Sequence, residues 1–256
     1  MSENTIIQSD AALAGHLAQV AGRILIAVRD AGVCAPKALG KAGDATANQF
    51  LCHAIASQRE EDGLLSEELK DSEARLSKSR VWIVDPVDGT REYGEARTDW
   101  AVHVGLAIDG IATVGAVALP GMGDDAVLRT DRPRSLPPAA AIPRMVVSRT
   151  RPAPEAVAVA EAIGAELVPM GSAGAKAMAI VLGQAEIYLH SGGQYEWDSC
   201  APVAVAKAHG LHCSRLDGSE PIYNQRETYM PDLLICRPEF AARVLDALAT
   251  HKHEKA

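Results

Sequence analysis

The chain has 256 residues, of which 48% are hydrophobic and 23% are charged, and its formal net charge is −8. These values are typical of a globular protein with one large core or two smaller ones. The negative charge argues against nonspecific binding to nucleic-acid polymers or anionic membranes. An anionic small-molecule substrate is not excluded, because bound cations can reverse the sign of the charge locally.

The cysteines and the N-terminal residues indicate a compartment. The five cysteines are widely spaced and form no C-x-x-C pair, which favours free thiols in a reducing environment over disulfides or a zinc site. No basic segment followed by an apolar one opens the sequence, and no apolar run approaches the length of about 18 residues that spans a membrane. We expect a cytoplasmic protein.

The N-terminal part of the sequence predicts two helices. Apolar residues recur at helical spacing over residues 9–30, where Ser9 or Asp10 could be the N-cap. A second helix is expected to begin near Asp44, whose simplest role is that of its N-cap. The polar residues 68–78 are expected to form a loop.

A short apolar segment followed by two aspartates organises the rest of the chain. Residues 81–84 (V-W-I-V) predict a buried strand, and pairing should stop near Asp85 because Pro86 cannot donate a ladder hydrogen bond. Asp85 and Asp88 would then lie at the carboxyl end of the strand, beside an anion-binding turn at Gly89-Thr90. Two carboxylates beside such a turn favour Mg²⁺ holding a phosphate. An ordinary Asp-Pro turn followed by an Asx turn would explain the same residues.

The remaining elements predict a largely antiparallel sheet and then an α/β alternation. Asp109-Gly110 between two apolar segments indicates a two-residue hairpin, and residues 127–129 a further short strand. The proline-rich residues 131–143 are expected to separate an N-terminal domain (1–132) from a C-terminal one (144–256). Beyond them we expect strands at 145–148, 166–169, 186–190 and 233–236, and helices at 154–163, 173–182, 199–209 and 239–248. This alternation predicts a layered α/β fold with a partly parallel second sheet.

The start of the 199–209 helix is also distinctive. Asp198 is well placed as its N-cap. The glycine pair Gly192-Gly193 before it predicts a sharp connection that would bring this end of the helix towards the first domain.

Three motifs together resemble a known family. Glu67-Glu68, D-P-V-D-G-T at 85–90 and Trp197-Asp198 follow in the order and spacing of the inositol monophosphatase superfamily of metal-dependent, lithium-sensitive phosphatases. Adjacent glutamates alone would indicate only a solvated surface. The resemblance implies a sugar-phosphatase-like fold of alternating helix and sheet layers in two subdomains. The family's V-T-x-A-D segment is replaced here by Gly40-Lys41-Ala42-Gly43-Asp44, which keeps the acid and loses its Val-Thr lead.

The resemblance also implies a catalytic arrangement. Glu67, Asp44 and the Thr90 hydroxyl would orient a water and accept its proton, and the amides of Gly89 and Thr90 would bind phosphate oxygens. The implied ligands of two or three Mg²⁺ are Glu67, Asp85, Asp88, Asp198 and the carbonyl of Val87.

Further segments resemble the 3′-phosphoadenosine 5′-phosphate (PAP) phosphatase branch: L-S-E-E at 65–68, T-R-E-Y at 90–93, V-S-R at 147–149 and G-S-A-G-A-K at 171–176. This branch removes the 3′-phosphate of PAP to give AMP in sulfate assimilation, with the sulfated form PAPS as an alternative substrate, and the resemblance implies a homodimer. The candidate substrate contacts are Asp88, Gly89, Thr90, Ser148, Arg149, Ser172, Lys176, Glu196 and Asp198.

Other interpretations stay open at this point. The substrate could be inositol 1-phosphate or fructose 1,6-bisphosphate, or the chain could be a catalytically silent binding subunit. Arg149 and Lys176 could be ordinary surface charges. We expect Trp197 and Tyr93 to pack in the protein rather than to stack on a base.

Overall fold

Seven α-helices and ten β-strands make up the described part of the chain, which in this computed structural model comprises residues 7, 9–123 and 126–255, with backbone alone for 252–255. The helices are α1 (Asp10–Asp30), α2 (Pro36–Gln58), α3 (Thr90–Gly94), α4 (Pro154–Ile163), α5 (Ala173–Val181), α6 (Glu196–Ala208) and α7 (Pro238–Lys255). The strands are β1 (Gly63–Ser66), β2 (Arg80–Asp88), β3 (Ala101–Ile108), β4 (Ile111–Ala118), β5 (Val127–Arg129), β6 (Arg144–Ser148), β7 (Glu166–Met170), β8 (Ile187–Tyr195), β9 (His212–Ser214) and β10 (Tyr229–Cys236).

The strands form two sheets of five. Sheet I has the order β1-β2-β3-β4-β5, with β1 and β2 parallel and the other neighbours antiparallel. Sheet II has the order β7-β6-β8-β10-β9; β6 runs parallel to β7 and β8, and β10 antiparallel to β8 and β9. The predicted largely antiparallel first sheet and partly parallel second sheet are confirmed.

Helices cover both faces of each sheet because the strand side chains alternate in direction. In β2, Trp82 packs with α1 and α2, whereas Val81 packs in the cluster that contains α5 and α6. In β6, Val146 joins that same central cluster, whereas Met145 packs with α4 and α7. The layers therefore follow the order α1/α2, sheet I, α5/α6, sheet II, α4/α7, which confirms the predicted alternation of helix and sheet layers.

Helix α6 lies directly on sheet I. Gly105 and Gly115 are paired across β3 and β4, and a Cβ atom at Gly115 would come within 2.6 Å of the Ala201 carbonyl oxygen. Two adjacent glycines thus let the helix backbone approach the sheet more closely than any side chain would permit.

Two predicted details of the N-terminal part are wrong. Helix α2 begins at Pro36, at the first helical position that proline favours, so Asp44 lies inside the helix and is not its N-cap. Strand β2 continues to Asp88, which pairs with Ala101 after an irregularity that absorbs Pro86. The predicted 68–78 loop also contains one 3₁₀ turn, Glu73–Ser77.

The prediction for the start of α6 is wrong as well. The helix begins at Glu196, and Asp198, inside its first turn, accepts the Tyr195 N–H as part of a capping box. Gly192 and Gly193 belong to β8, where positive φ angles of 76° and 75° accompany an irregular register with β10. The three-residue strand β9 was not predicted.

Other predictions hold. Ser9 caps α1, and the hairpin turn has positive φ at Asp109 (50°) and Gly110 (80°). Residues 131–143, all described, contain no helix or strand; the domain boundary placed there stays a prediction.

Helix α1 is long and strongly apolar. Within the described residues it is the one helix whose length and hydropathy would suffice to cross a membrane. Its Leu13, Leu17 and Leu25 are fully buried in the cluster formed with α2 and sheet I. This is the environment of a core helix.

Candidate active site

Three aspartates from two distant parts of the sequence meet between the sheets. One carboxylate oxygen each from Asp85, Asp88 and Asp198 lies within 4.8 Å of the others. Asp85 and Asp88 are buried at the end of β2, and Asp198 is half-buried in the first turn of α6. The structure therefore brings together three of the five predicted metal ligands.

Two local hydrogen bonds stabilise the backbone at the end of β2. The Val87 N–H donates to Asp85 Oδ1 over 3.0 Å, and the Thr90 hydroxyl donates to the Val87 carbonyl over 3.2 Å. The Asx turn considered as the simpler alternative is thus present, and it coexists with the acidic cluster.

Asp88 is oriented from several sides. Its Oδ1 accepts the Ala173 N–H over 3.1 Å and its Oδ2 the Gly174 N–H over 2.5 Å, both at the start of α5. The Nε2 atom of fully buried His103 lies 3.1 Å from the same Oδ2. Burial alone would raise the pKa of Asp88, but His103, the Gly174 amide and Lys176 outweigh it, so this pKa lies below its usual value.

The other acids of the cluster hold their protons more tightly. Burial, and then the charges of Glu67, Asp88 and Asp198, raise the pKa of Asp85 well above its usual value. Burial and the charge of Asp88 raise the pKa of Asp198 to about 7. Such crowded carboxylates are stable at neutral pH when they share protons or a cation.

Glu67 and Asp44 flank this cluster as predicted. Glu67 is partly exposed at its edge, yet the desolvation of its carboxyl group and the nearby acids raise its pKa to about 7. Burial and the charge of Glu68 raise the pKa of Asp44 to about 7. The Thr90 hydroxyl lies 3.5 Å from Asp44 Oδ1, so two of the three groups predicted to orient the attacking water are neighbours.

The predicted phosphate turn adjoins the start of α5. Gly89 has a φ of +88°, and a Cβ atom there would come within 2.9 Å of Ser172 Cβ. Ser172 is buried and its hydroxyl caps α5 by accepting the Ala175 N–H. The turn and the helix terminus therefore face one another at the acidic cluster.

Two predicted substrate contacts have protein partners instead. Arg149 donates to Glu92 over 2.8 Å and to Glu95 over 3.3 Å, both in or beside α3. Lys176 is only 4% exposed, and its ammonium donates to the carbonyls of Gly171 and Ser172. Arg149 is half-buried and forms ion pairs, whereas Lys176 is no surface charge and lies too deep to reach a ligand without a rearrangement.

Ser148 and Glu196 also have local roles. The Ser148 hydroxyl accepts the Arg151 N–H at the end of β6. Glu196 is fully buried and accepts the N–H groups of Asn224 and Gln225, each over 2.7 Å. Because both carboxylate oxygens accept backbone N–H groups, the buried Glu196 side chain is not accessible to a substrate. Its predicted substrate contact is therefore corrected to a structural role.

Comparison with known proteins agrees with this geometry. The sequence profile of the inositol monophosphatase family matches residues 35–254. The chain belongs to this family. It is 45% identical to the 3′-phosphoadenosine 5′-phosphate phosphatase of Mycobacterium leprae (94% of this chain, 93% of the relative) and 47% identical to that of Mycobacterium bovis (90% and 89%). The crystal structure of CysQ from Bacteroides thetaiotaomicron superposes with a TM-score of 0.76 at 23% identity (91% of this chain, 99% of that one).

The members of this family depend on metal ions, and the residues present fit one. The cluster offers carboxylate oxygens alone, the donors that hard divalent cations prefer. Burial first, and then the charges of the neighbouring acids, raise the pKa of Asp85 and Asp198, and a bound cation would offset both effects.

Two residues of the site were missed by the sequence analysis. His103 is a buried residue of β3 and pairs with Asp85 across the sheet. Its Nδ1 lies 2.9 Å from the Trp197 carbonyl oxygen. A histidine at an inward position of an apolar strand was the available signal. Tyr195, whose amide binds Asp198, had no signal of its own beyond its position before E-W-D.

Proposed function

We propose that this protein is a Mg²⁺-dependent phosphomonoesterase that removes the 3′-phosphate of PAP to give AMP. The observation that carries the chemistry is the meeting of Asp85, Asp88 and Asp198 beside the Gly89-Thr90 turn. The substrate is supported by the names of relatives that are 45–47% identical over nearly the whole chain.

Different residues would bind the metal ions, bind the phosphate and accept the proton. Asp85, Asp88, Asp198, Glu67 and the Val87 carbonyl would hold two or three Mg²⁺, which supply positive charge to the phosphate and acidify water. The amides of Gly89 and Thr90 would bind phosphate oxygens. Asp44, with a pKa raised to about 7 by burial, would receive the proton of the attacking water through the Thr90 hydroxyl.

The remaining substrate contacts follow the same proposal. Arg149, at the carboxyl end of a parallel strand, would exchange Glu92 for the distal phosphate or ribose of the nucleotide. Ser148 and Ser172 would lie along the same edge of the pocket. We also propose a homodimer that works in the cytoplasm in sulfate assimilation, and inhibition by lithium through competition for a carboxylate-bound cation.

The test is a side-by-side assay. Phosphate release from PAP, PAPS, inositol 1-phosphate and fructose 1,6-bisphosphate is measured with and without Mg²⁺. We expect kcat/KM for PAP to exceed that for both sugar phosphates by more than about tenfold. Faster release from a sugar phosphate would overturn the substrate assignment and keep the chemistry. Absence of release from every ester would indicate a silent binding subunit.

A further inference from the structure

Three aromatic side chains form an exposed ledge beside the acidic cluster. The rings of Tyr195 and Trp197 are stacked with centroids 4.9 Å apart and an interplanar angle of 9°. Tyr229, opposite Tyr195 on β10, meets it edge-on at 5.8 Å. We refer to Tyr195, Trp197 and Tyr229 as the aromatic ledge.

The ledge is exceptional for this chain. Aromatic residues make up only 4% of the sequence, and the remaining tyrosines and tryptophans, Trp82, Tyr93, Trp100, Tyr188 and Tyr223, are at most 1% exposed. Tyr195 and Tyr229 are each 40% exposed. Folding leaves these two rings in water where it buries the others, as expected when apolar surface is kept for a ligand.

The ledge and the acidic cluster are parts of one backbone arrangement. The Tyr195 N–H donates to Asp198 Oδ2 over 2.7 Å. The Trp197 carbonyl lies 2.9 Å from Nδ1 of His103, whose Nε2 is 3.1 Å from Asp88. The backbone that carries the ledge therefore also contacts Asp198 directly and Asp88 through His103.

We propose that the aromatic ledge binds the base of the nucleotide, with the purine stacked on the open side of Tyr195. Every base has a π-face that stacks on tyrosine or tryptophan, whereas inositol and fructose have none. The inference rests on the proposed function and goes beyond it, because it assigns base recognition to residues that the phosphate chemistry does not need. Trp197 packs against the other face of the Tyr195 ring. The predicted packing role of Trp197 is therefore compatible with a base stacked on Tyr195.

Binding measurements at saturating Mg²⁺ test the ledge. AMP, the product that keeps the base, and ribose 5-phosphate, which lacks it, are titrated by calorimetry into the wild-type protein, Tyr195→Phe, Tyr195→Leu and Tyr195→Ala. We expect wild type and Tyr195→Phe to favour AMP by at least about tenfold. Tyr195→Leu and Tyr195→Ala should lose most of this ratio. Leucine keeps apolar contact with Trp197, so this variant remains informative if the alanine variant unfolds.

Fluorescence supplies a second readout. Trp197 is half-buried, whereas Trp82 and Trp100 are inaccessible, so AMP should quench the emission of Trp197 and ribose 5-phosphate should not. An AMP-to-ribose 5-phosphate ratio that is the same in wild type and Tyr195→Leu would overturn the ledge proposal. Hydrolysis of PAP by the wild type is scored separately: its absence overturns the proposed function, and its presence with an unchanged ratio overturns the ledge alone.

Discussion

Asp88 has a negative charge that the fold itself stabilises. Two amides at the start of α5 and the ring of His103 surround its carboxylate. The carbonyl of Trp197 can only accept a hydrogen bond, so His103 Nδ1 carries a proton. Although burial would lower it, the charge of Asp88 raises the pKa of His103. The pair therefore fixes the orientation of one proposed metal ligand before any cation arrives.

Replacing this carboxylate should abolish most of the activity. In Asp88→Asn the shape is kept and the charge is lost, so we expect turnover to fall at least ~100-fold, since even the partners of metal ligands are worth 10–100-fold. Phosphate release and Mg²⁺ affinity are measured together. Asp109→Asn, in the exposed hairpin turn where φ is positive, is the matched control. Turnover within a few-fold of wild type would contradict the metal assignment.

The raised pKa values predict how the metal-free protein responds to pH. Burial raises the pKa of Asp44, Glu67 and Asp198 to about 7, whereas in the unfolded chain such groups ionise near pH 4. Between these limits the folded state binds more protons, so the free energy of unfolding falls as pH rises from about 4 to about 7. Ionisation above that range leaves a repulsive cluster that the proposed Mg²⁺ would relieve.

We therefore expect Mg²⁺ to raise the Tm more at pH 8 than at pH 5.5. Scanning fluorimetry with and without Mg²⁺ checks this, and Asp44→Asn should make the metal-free profile flatter. A stabilisation by Mg²⁺ that does not change with pH would show that the acids are not its ligands.

At the scale of elements, the start of α6 is fixed by a buried connection to the 3₁₀ turn that follows β1, the edge strand of sheet I. The Glu196 carboxylate accepts the backbone N–H groups of Asn224 and Gln225. Arg75, only 2% exposed, donates to the Asn224 side chain over 2.8 Å and to the Gln225 carbonyl over 3.0 Å. The segment that follows Glu67 is thus joined to the helix that carries Asp198.

Breaking this connection should loosen the site without touching it. Glu196→Gln places an amide NH₂ against a backbone N–H that was bound to a carboxylate, and an unsatisfied buried donor costs about 1–3 kcal/mol. We expect that loss in urea unfolding, together with weaker Mg²⁺ binding. Glu161→Gln, an exposed residue of α4, is the control. Unchanged stability would remove the structural role given to Glu196.

The sequence predicted the limits of some helices correctly and misplaced the starts of others. Regular helices such as α4 carry their own signals, a proline at the first position and Gly164 after the last, and their limits were predicted correctly. The starts of α2 and α6 were misplaced because an aspartate before an apolar run is the usual N-cap signal. At Asp44 and Asp198 the acid is inside the helix, where the site needs it.

At the scale of the molecule, linear motifs predicted which carboxylates meet but not what surrounds them. Asp85, Asp88 and Asp198 belong to contiguous motifs, so the resemblance sufficed. The environments of Arg149, Lys176 and Glu196 depend on packing between β6, α3, α5 and the 222–225 segment, which no local pattern encodes. For these charged residues the sequence predicted contacts with a ligand. The structure shows that they bind backbone groups or form ion pairs instead.

The position of α6 between the sheets has a consequence for cutting the chain. A break within the largely exposed residues 131–143 would leave 1–132 with an uncovered face on sheet I and 144–256 with the apolar face of α6 in water. It would also separate Asp85 and Asp88 from Asp198. We expect each fragment to aggregate alone and the two, co-expressed, to restore Mg²⁺-dependent phosphate release; a soluble, cooperatively folded 1–132 would contradict this. Phosphate release in such a co-expression therefore reports the association of the two halves in trans.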